Sequence, residues 1–250
     1  MLWKGGTGSQ HYGKLLTNCR TMLNYIKALI LNRKSRFKRR FLSNISSKVF
    51  FGPNVQILGM ENVLIKDNCT IGGDTLFTIN NRDNKDIQLE IGRNSYIGRD
   101  NFFSVGKSIV IGDYCIFGNK CSFICSDHIF DNPLVPYALS GNSYEKTIRI
   151  GVNCWLGHDV SVIGNINIGH GCVIGAKTLI TKDIPPFSMV VGNPARIVRS
   201  FNFDSGCWEK GEQQLTSIYH DERTYLESLV KHSKDLPLGY HSASHEYGDL

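Results

Sequence analysis

No run of the roughly 20 apolar residues needed to cross a bilayer occurs in this 250-residue chain, and no two of its eight cysteines stand in a CxxC pair. The apolar stretch MLNYIKALIL (22–31) is too short to span. It also lies too far from the start, without a cleavage-like end, to read as a signal peptide. The expectation is a cytoplasmic protein. The first 50 residues show no nucleotide-binding domain either. A hydrophobic content of 41% is enough for one sizeable core, so extensive disorder is excluded.

The formal net charge of +6 is uneven: LNRKSRFKRR (31–40) concentrates Arg33, Lys34, Arg36, Lys38, Arg39 and Arg40. Such a cluster can meet phosphates, an anionic membrane or an acidic glycan, and a solvated basic face explains it equally well. Residues 12–41 together read as a basic amphipathic helix, suited to peripheral contact with the inner face of the membrane or to packing on the protein's own body. No nucleic-acid partner is expected.

The stretch IRIGVNCWLGHDVSVIGNINIGHGCVIGAKTLITKDIPP (148–186) places Ile150, Leu156, Val162, Ile168, Ile174 and Ile180 six residues apart. A helix spaces apolar residues by three to four and a half-buried strand alternates them. A period of six marked by glycine is a short strand plus a corner, and three such units make one turn of a triangular solenoid. The same register holds for Ile65, Ile71 and Phe77, for Ile91, Ile97 and Phe103, and for Ile111, Phe117 and Phe123. It breaks at 78–90, slips by two residues near Lys107–Ile109, and is interrupted by a loop at 126–149. Four residues after each aliphatic position comes a mostly small residue, and five cysteines (Cys69, Cys115, Cys121, Cys154, Cys172) occupy that slot. They read as small apolar filler at an inward corner rather than as disulfides or metal ligands.

The segment IGVNCWLGHDVSVIGNINIGHGCVIGAKTLITKDIPPFSMVVGNPARIVR (150–199) resembles the closing half of the hexapeptide-repeat acyltransferases, in particular their sugar and polysaccharide O-acetyltransferases. The resemblance is strong over 91–199, weaker over 51–90 and absent at both ends. It implies a mainly β fold, a left-handed parallel β-helix, assembled as a homotrimer that uses acetyl-CoA as co-substrate and needs no metal. The repeat alone implies only the solenoid, since parallel crossovers are nearly always right-handed.

Transfer of an acetyl group from a thioester to a hydroxyl needs a base, donors for the oxyanion and a channel that aligns two substrates. Histidine suits the first role because it titrates near neutrality. His128 opens the 126–149 loop, at the place where the resembling family carries its catalytic histidine. Asn101 is the candidate for orienting that base or holding the acceptor, ranked above Asp100; a corner residue bonding its own coil is the competing reading. Asp127 is a doubtful partner, because neighbours in an extended chain face opposite ways.

The resemblance assigns the coenzyme to Trp155 and His158 near the pantetheine arm. It assigns the region of the nucleotide and its phosphates to Gly175, Ala176, Lys177, Thr181, Lys182, Arg196 and Arg199. Lys177 is a departure, since the family has glycine or a small residue there. His170 reads as solvent-facing. Pro185, Pro186 and Pro194 read as mechanical stops to the coil.

Three regions follow: 1–50, basic and partly helical; 51–199, the β-helix; and 200–250, an irregular or helical extension. The function expected is O-acetylation of a sugar hydroxyl on a surface polysaccharide (capsule or lipopolysaccharide) or its precursor. The alternatives are N-acetylation of an amino sugar nucleotide, a non-catalytic trimeric scaffold, and a zinc hydratase, for which the spacing of His128, His158 and His170 is poor.

Overall fold

A computed structural model describes residues 44–211 and 218–233. The basic helix expected over 12–41 and the last residues of the tail lie outside the described residues.

Each period-six block folds as one coil of a triangular prism with three parallel walls. Wall one stacks Val63–Ile65, Leu89–Ile91, Ser108–Ile111, Thr147–Ile150 and Ile166–Ile168. Wall two stacks Phe50–Phe51, Thr70–Ile71, Tyr96–Ile97, Ile116–Phe117, Trp155–Leu156, Val173–Ile174 and Ser188–Val191. Wall three stacks Gln56–Leu58, Leu76–Ile79, Phe102–Val105, Ser122–Ile124, Ser161–Ile163 and Leu179–Ile180. The aliphatic residues stand in register from coil to coil: Ile65, Ile91, Ile111, Ile150, Ile168 and Ile184 on wall one. Phe77, Phe103, Phe123, Val162 and Ile180 follow the same rule on wall three. All are buried and form one continuous core. The two-residue slip lengthens the wall-three strand, so that Val105 pairs with Ile79 before the chain turns.

The corners work differently from the expectation that glycine turns them. The left-handed backbone falls three residues after the aliphatic position, at Asn68, Asp74, Asn94, Asp100, Tyr114, Lys120, Asn153, Asp159 and Lys177. The glycine directly after the aliphatic residue is there for close approach: a Cβ on Gly98 would lie 2.6 Å from the Gly118 carbonyl oxygen. That glycine's own carbonyl is met by the small residue of the preceding coil. Cys69 Sγ donates to Gly92 O (2.9 Å), Ser95 Oγ to Gly112 O (3.2 Å), Cys115 Sγ to Gly151 O (3.2 Å) and Cys154 Sγ to Gly169 O (3.1 Å). On the next corner Thr75 Oγ1 reaches Gly98 O (3.2 Å) and Cys121 Sγ reaches Gly157 O (3.2 Å). At these positions the slot holds residues that are small and carry a donor, because a buried carbonyl left unpaired is costly; where the slot holds Val160, the Gly175 carbonyl is met by Thr178 Oγ1 (2.7 Å) instead. Burial raises the thiol pKa of Cys69, Cys121 and Cys125 to about 11.

Pro185 and Pro186 do not stop the coil. Ile184 still bridges to Ile168, the two prolines form the following corner, and Ser188–Val191 adds a last parallel strand. Parallel growth ends when Arg196–Asn202 pairs antiparallel with Ser188–Val191 and leads into Cys207–Lys210. The extension then returns as the helix Glu222–His232, N-capped by Asp221, whose side chain accepts from Thr224 N. Glu222 accepts from Val152 N (2.8 Å) and pairs with Arg149, while Tyr225 bonds Asn153, so the helix is docked on the corner between walls one and two.

Candidate active site

The prism sorts the candidate residues by corner. His158, Asp159, Ala176 and Lys177 lie on the corner between walls two and three, stacked coil on coil: Lys177 N donates to His158 O (2.8 Å) and Lys177 Nζ reaches Asp159 Oδ2 (2.9 Å). Lys177 takes the left-handed backbone of the other corners, with φ 59°. That explains why a glycine suits the position, and the corner is not reshaped. Trp155 stands on the outer face of wall two, 56% exposed, beside Val173. Thr181 and Lys182 follow Leu179–Ile180, and both are exposed. Ala195 N donates to Leu179 O (2.9 Å), which carries exposed Arg196 back to the same end. Arg199 lies further along that strand, opposite Met189. The result is an exposed strip that runs from Trp155 along one corner to the end of the prism and crosses the last wall-three strand to Thr181 and Lys182.

His128 lies elsewhere. The chain leaves the far edge of wall three after Ile124 and forms a short antiparallel pair, Asp127–His128 with Asn142–Ser143. This is the root of an arm in which Phe130, Leu134, Tyr137 and Leu139 are exposed. Asp127 turns to Lys146, so it is not the partner of the exposed His128 imidazole. In one chain, then, Trp155, His158 and Lys177 lie on the side where wall three begins, whereas His128 lies past the edge where it ends, as do Thr181 and Lys182 two coils further on.

Asn101 does not join either group. Its side chain is buried, Nδ2 donates to Gly98 O (2.7 Å) and Gly118 O (3.1 Å), and Oδ1 accepts from Cys121 N (2.8 Å). It closes a corner, in place of a thiol, and the expectation that it orients the base or holds an acceptor is corrected accordingly.

His170 is corrected as well: it is 4% exposed, not solvent-facing. Its ring packs against Phe187 and Tyr225, and Nε2 bonds Tyr219 O (2.8 Å). His128, His158 and His170 thus occupy three different corners, and among the described residues of the chain no three His, Cys, Asp or Glu side chains converge as a metal site. Beside His170, a shallow cleft of about 510 Å³ is lined by Arg149, Asn167, Asp183 and Glu222. Its polar groups are already engaged, Arg149 with Glu222, and Asp183 Oδ1 with Asn167 N. It carries no argument for a second site.

Burial pulls the His170 pKa below its ordinary 6.5; the Tyr219 carbonyl and Glu222 oppose the shift, and His220 and Arg149 add to it. With the docked-state pKa depressed, the undocked state binds the proton more readily. The docking contribution is therefore complete above about 6.5 and is lost as pH falls below that value through the depressed docked-state pKa. Amide exchange across Glu222–His232, corrected for intrinsic rates, is expected to accelerate as pH falls below about 6.5. His170→Phe should flatten that dependence; an unchanged profile would rule out His170 as its source.

No protein-family model matches the chain. Among curated proteins, a Staphylococcus aureus (strain Mu50 / ATCC 700699) protein bearing the name of an acetyltransferase is 41% identical over 118 residues, covering 46% of this chain and 57% of its own. A chloramphenicol acetyltransferase of Klebsiella aerogenes is 33% identical over 106 residues, covering 36% and 50%. The chain thus spans a little over half the length of the first of these relatives. Among solved structures, an N-acyltransferase from Bacillus cereus in complex with dTDP and coenzyme A (D94N mutant of AntD) superposes with a TM-score of 0.59 at 15% identity, covering 82% of this chain and 98% of that one. A hexapeptide transferase family protein from Anaplasma phagocytophilum gives 0.50 at 19%, covering 82% and 92%. At these identities the structures speak to fold alone. Together with the stacked period-six coils, they identify the repeat region as a left-handed parallel β-helix, the fold of hexapeptide-repeat transferases.

Proposed function

We propose that the protein is an acetyl-CoA-dependent O-acetyltransferase, acting as a homotrimer on a sugar hydroxyl of a surface polysaccharide or its precursor. The observation that carries this reading is the exposed strip with Trp155 and His158 at one end and Thr181, Lys182 and Arg196 at the other. An elongated ligand with an apolar arm and a phosphorylated end matches that order: indole and imidazole beside the arm, lysine and arginine at the phosphates. Lys177, already paired with Asp159, and Arg199 are second-rank contacts. Backbone groups at Gly175 and Ala176 border the same strip.

Two features support the trimer. The His128 arm exposes Phe130, Leu134, Tyr137 and Leu139 as an apolar surface for a neighbouring copy, and Trp155, His158 and Lys177, at the corner before wall three, are in this reading the neighbour's share of a site between subunits. His128 takes the proton of the acceptor hydroxyl as its oxygen attacks the thioester carbonyl. The tetrahedral intermediate collapses with loss of the C–S bond, and the imidazolium returns the proton to the departing coenzyme A thiolate. No acyl-enzyme forms.

The test is thiol release from acetyl-CoA, with neutral polysaccharides, simple sugars and amino sugar nucleotides offered as acceptors. Release that depends on a hydroxyl acceptor is expected. Release with amino sugar nucleotides alone would transfer the reading to N-acetylation, and failure to bind coenzyme A would leave a scaffold.

A further inference from the structure

Three coils each contribute a polar group to a small network on the outer surface of wall three, at the root of the His128 arm. Asn80 stands where the chain leaves the wall for the 80–88 loop, Ser104 lies on Phe102–Val105, and Ser126 is the last residue before the arm's strand pair. Asn80 Nδ2 donates to Ser126 Oγ (2.7 Å) and Ser104 Oγ (3.0 Å), the two hydroxyls are 2.7 Å apart, and Thr78 Oγ1 donates to Asn80 Oδ1 (3.2 Å). All four residues are half-buried.

The hydrogens can be counted from the chemistry of these groups. The amide of Asn80 gives both of its hydrogens to the serines, Thr78 gives its one to Asn80, and one serine gives its hydrogen to the other. The remaining serine hydroxyl has a hydrogen and no acceptor within the network. It is held in place because Asn80 already occupies an acceptor position on each serine oxygen. Alternate residues of an extended chain share a face, so Ser126 and His128 lie on one side of the arm root, and Asp127, paired with Lys146, on the other.

We infer that the Ser104–Ser126 pair, oriented by Asn80, is an acceptor subsite: it hydrogen-bonds an oxygen of a polyhydroxylated substrate and so sets which hydroxyl is offered to His128. The inference rests on the proposed role of His128. The four groups of the network are uncharged; of the cations near it, Lys146 is paired with Asp127 and Arg82 Nε donates to Ile79 O (3.0 Å). Uncharged hydroxyls that both give and take hydrogen bonds match a sugar's hydroxyl, ring or glycosidic oxygen, whereas a phosphate would call for a cation.

Two measurements on the full chain test it: initial-rate kinetics with the best neutral sugar acceptor, and saturation-transfer NMR of that sugar with coenzyme A present. Ser126→Ala and Ser104→Ala are each expected to raise the acceptor KM about tenfold and to leave the acetyl-CoA KM unchanged. Ser126→Thr keeps the hydroxyl and should restore most of the loss. The NMR signal should weaken in Ser126→Ala and persist in His128→Ala. An acceptor KM unmoved in both alanine variants, or equal loss in the threonine variant, would overturn the subsite, as would a wild-type protein that binds no neutral sugar. Sugar binding that depends on Ser126 but never leads to thiol release would instead sink the acetyl-transfer reading and leave the subsite standing.

Discussion

Replacing His128 with alanine is expected to lower acceptor-dependent kcat by about 10²–10⁴-fold, the usual contribution of a positioned general base. Coenzyme A affinity should be unchanged, because Trp155, His158 and Lys177 lie at the corner where wall three begins and the Thr181–Lys182 pair stands two coils beyond the His128 coil. Folding should be nearly unaffected, since His128 is exposed and surface substitutions away from networks usually stay within about 0.5 kcal/mol. The decisive comparison is single-turnover transfer of acetyl from bound acetyl-CoA, read with isothermal titration of coenzyme A on the same preparation. A loss in kcat with intact binding identifies the base. A variant that keeps more than about a tenth of the wild-type rate would remove His128 from the chemistry and make the arm a structural or acceptor-binding element. Loss of coenzyme binding in step with activity would instead mean that the arm shapes the coenzyme groove.

Much of the prism was legible because its signal is local. Ile150, Leu156, Val162 and their partners repeat at one interval, and the pairing of Ile111 with Ile150 and then Ile168 reproduces that register across a loop of more than twenty residues. What the period does not carry is any contact made by a residue outside it. His170 looked exposed because its slot on the coil points outward. Its cover is Tyr219 and Tyr225, some fifty residues later in a tail without repeat. The same limit hid the Asn80, Ser104 and Ser126 network, which joins three coils and two loop roots.

The chemistry of the corner was half legible. Small residues at Cys69, Cys115 and Cys121 announced a crowded slot, yet only the carbonyls of Gly92, Gly151 and Gly157 show why those residues also carry a donor. Asn101 follows from the same requirement, which is why an asparagine that resembled a catalytic one is held inside. The Arg196–Asn202 and Cys207–Lys210 hairpin escaped notice for another reason. Its strand Arg196–Asn202 lies outside the period, interleaves arginines with apolar residues, and buries a serine, Ser200, where an aliphatic would have marked the inward face.

Phe103→Ala is expected to be the most damaging single truncation in the core, costing about 4–5 kcal/mol, at the upper end of the range for buried phenylalanine. Phe103 is fully buried between Phe77 and Phe123, with ring centroids 4.7 and 4.6 Å away and interplanar angles of 26° and 14°. Removing the middle ring breaks both stacked contacts, each contributing about 0.5–1.5 kcal/mol beyond burial. Relaxation cannot recover much of this. The coils above and below are held apart at ladder spacing by Phe77 and Phe123 pairing through Phe103's own backbone, so the walls cannot close on the void. Against a total stability of about 5–15 kcal/mol for a typical domain, such a loss leaves a marginal protein. Unfolding in denaturant at fixed protomer concentration measures it, with Phe103→Leu as the milder comparison. A cost under about 1.5 kcal/mol would mean that the coils do collapse and that the ladder is more compliant than its hydrogen bonds indicate. Because Ser104 follows directly on wall three, the same variant should also raise the acceptor KM, linking the stacked rings of the core to the hydroxyl pair at the arm.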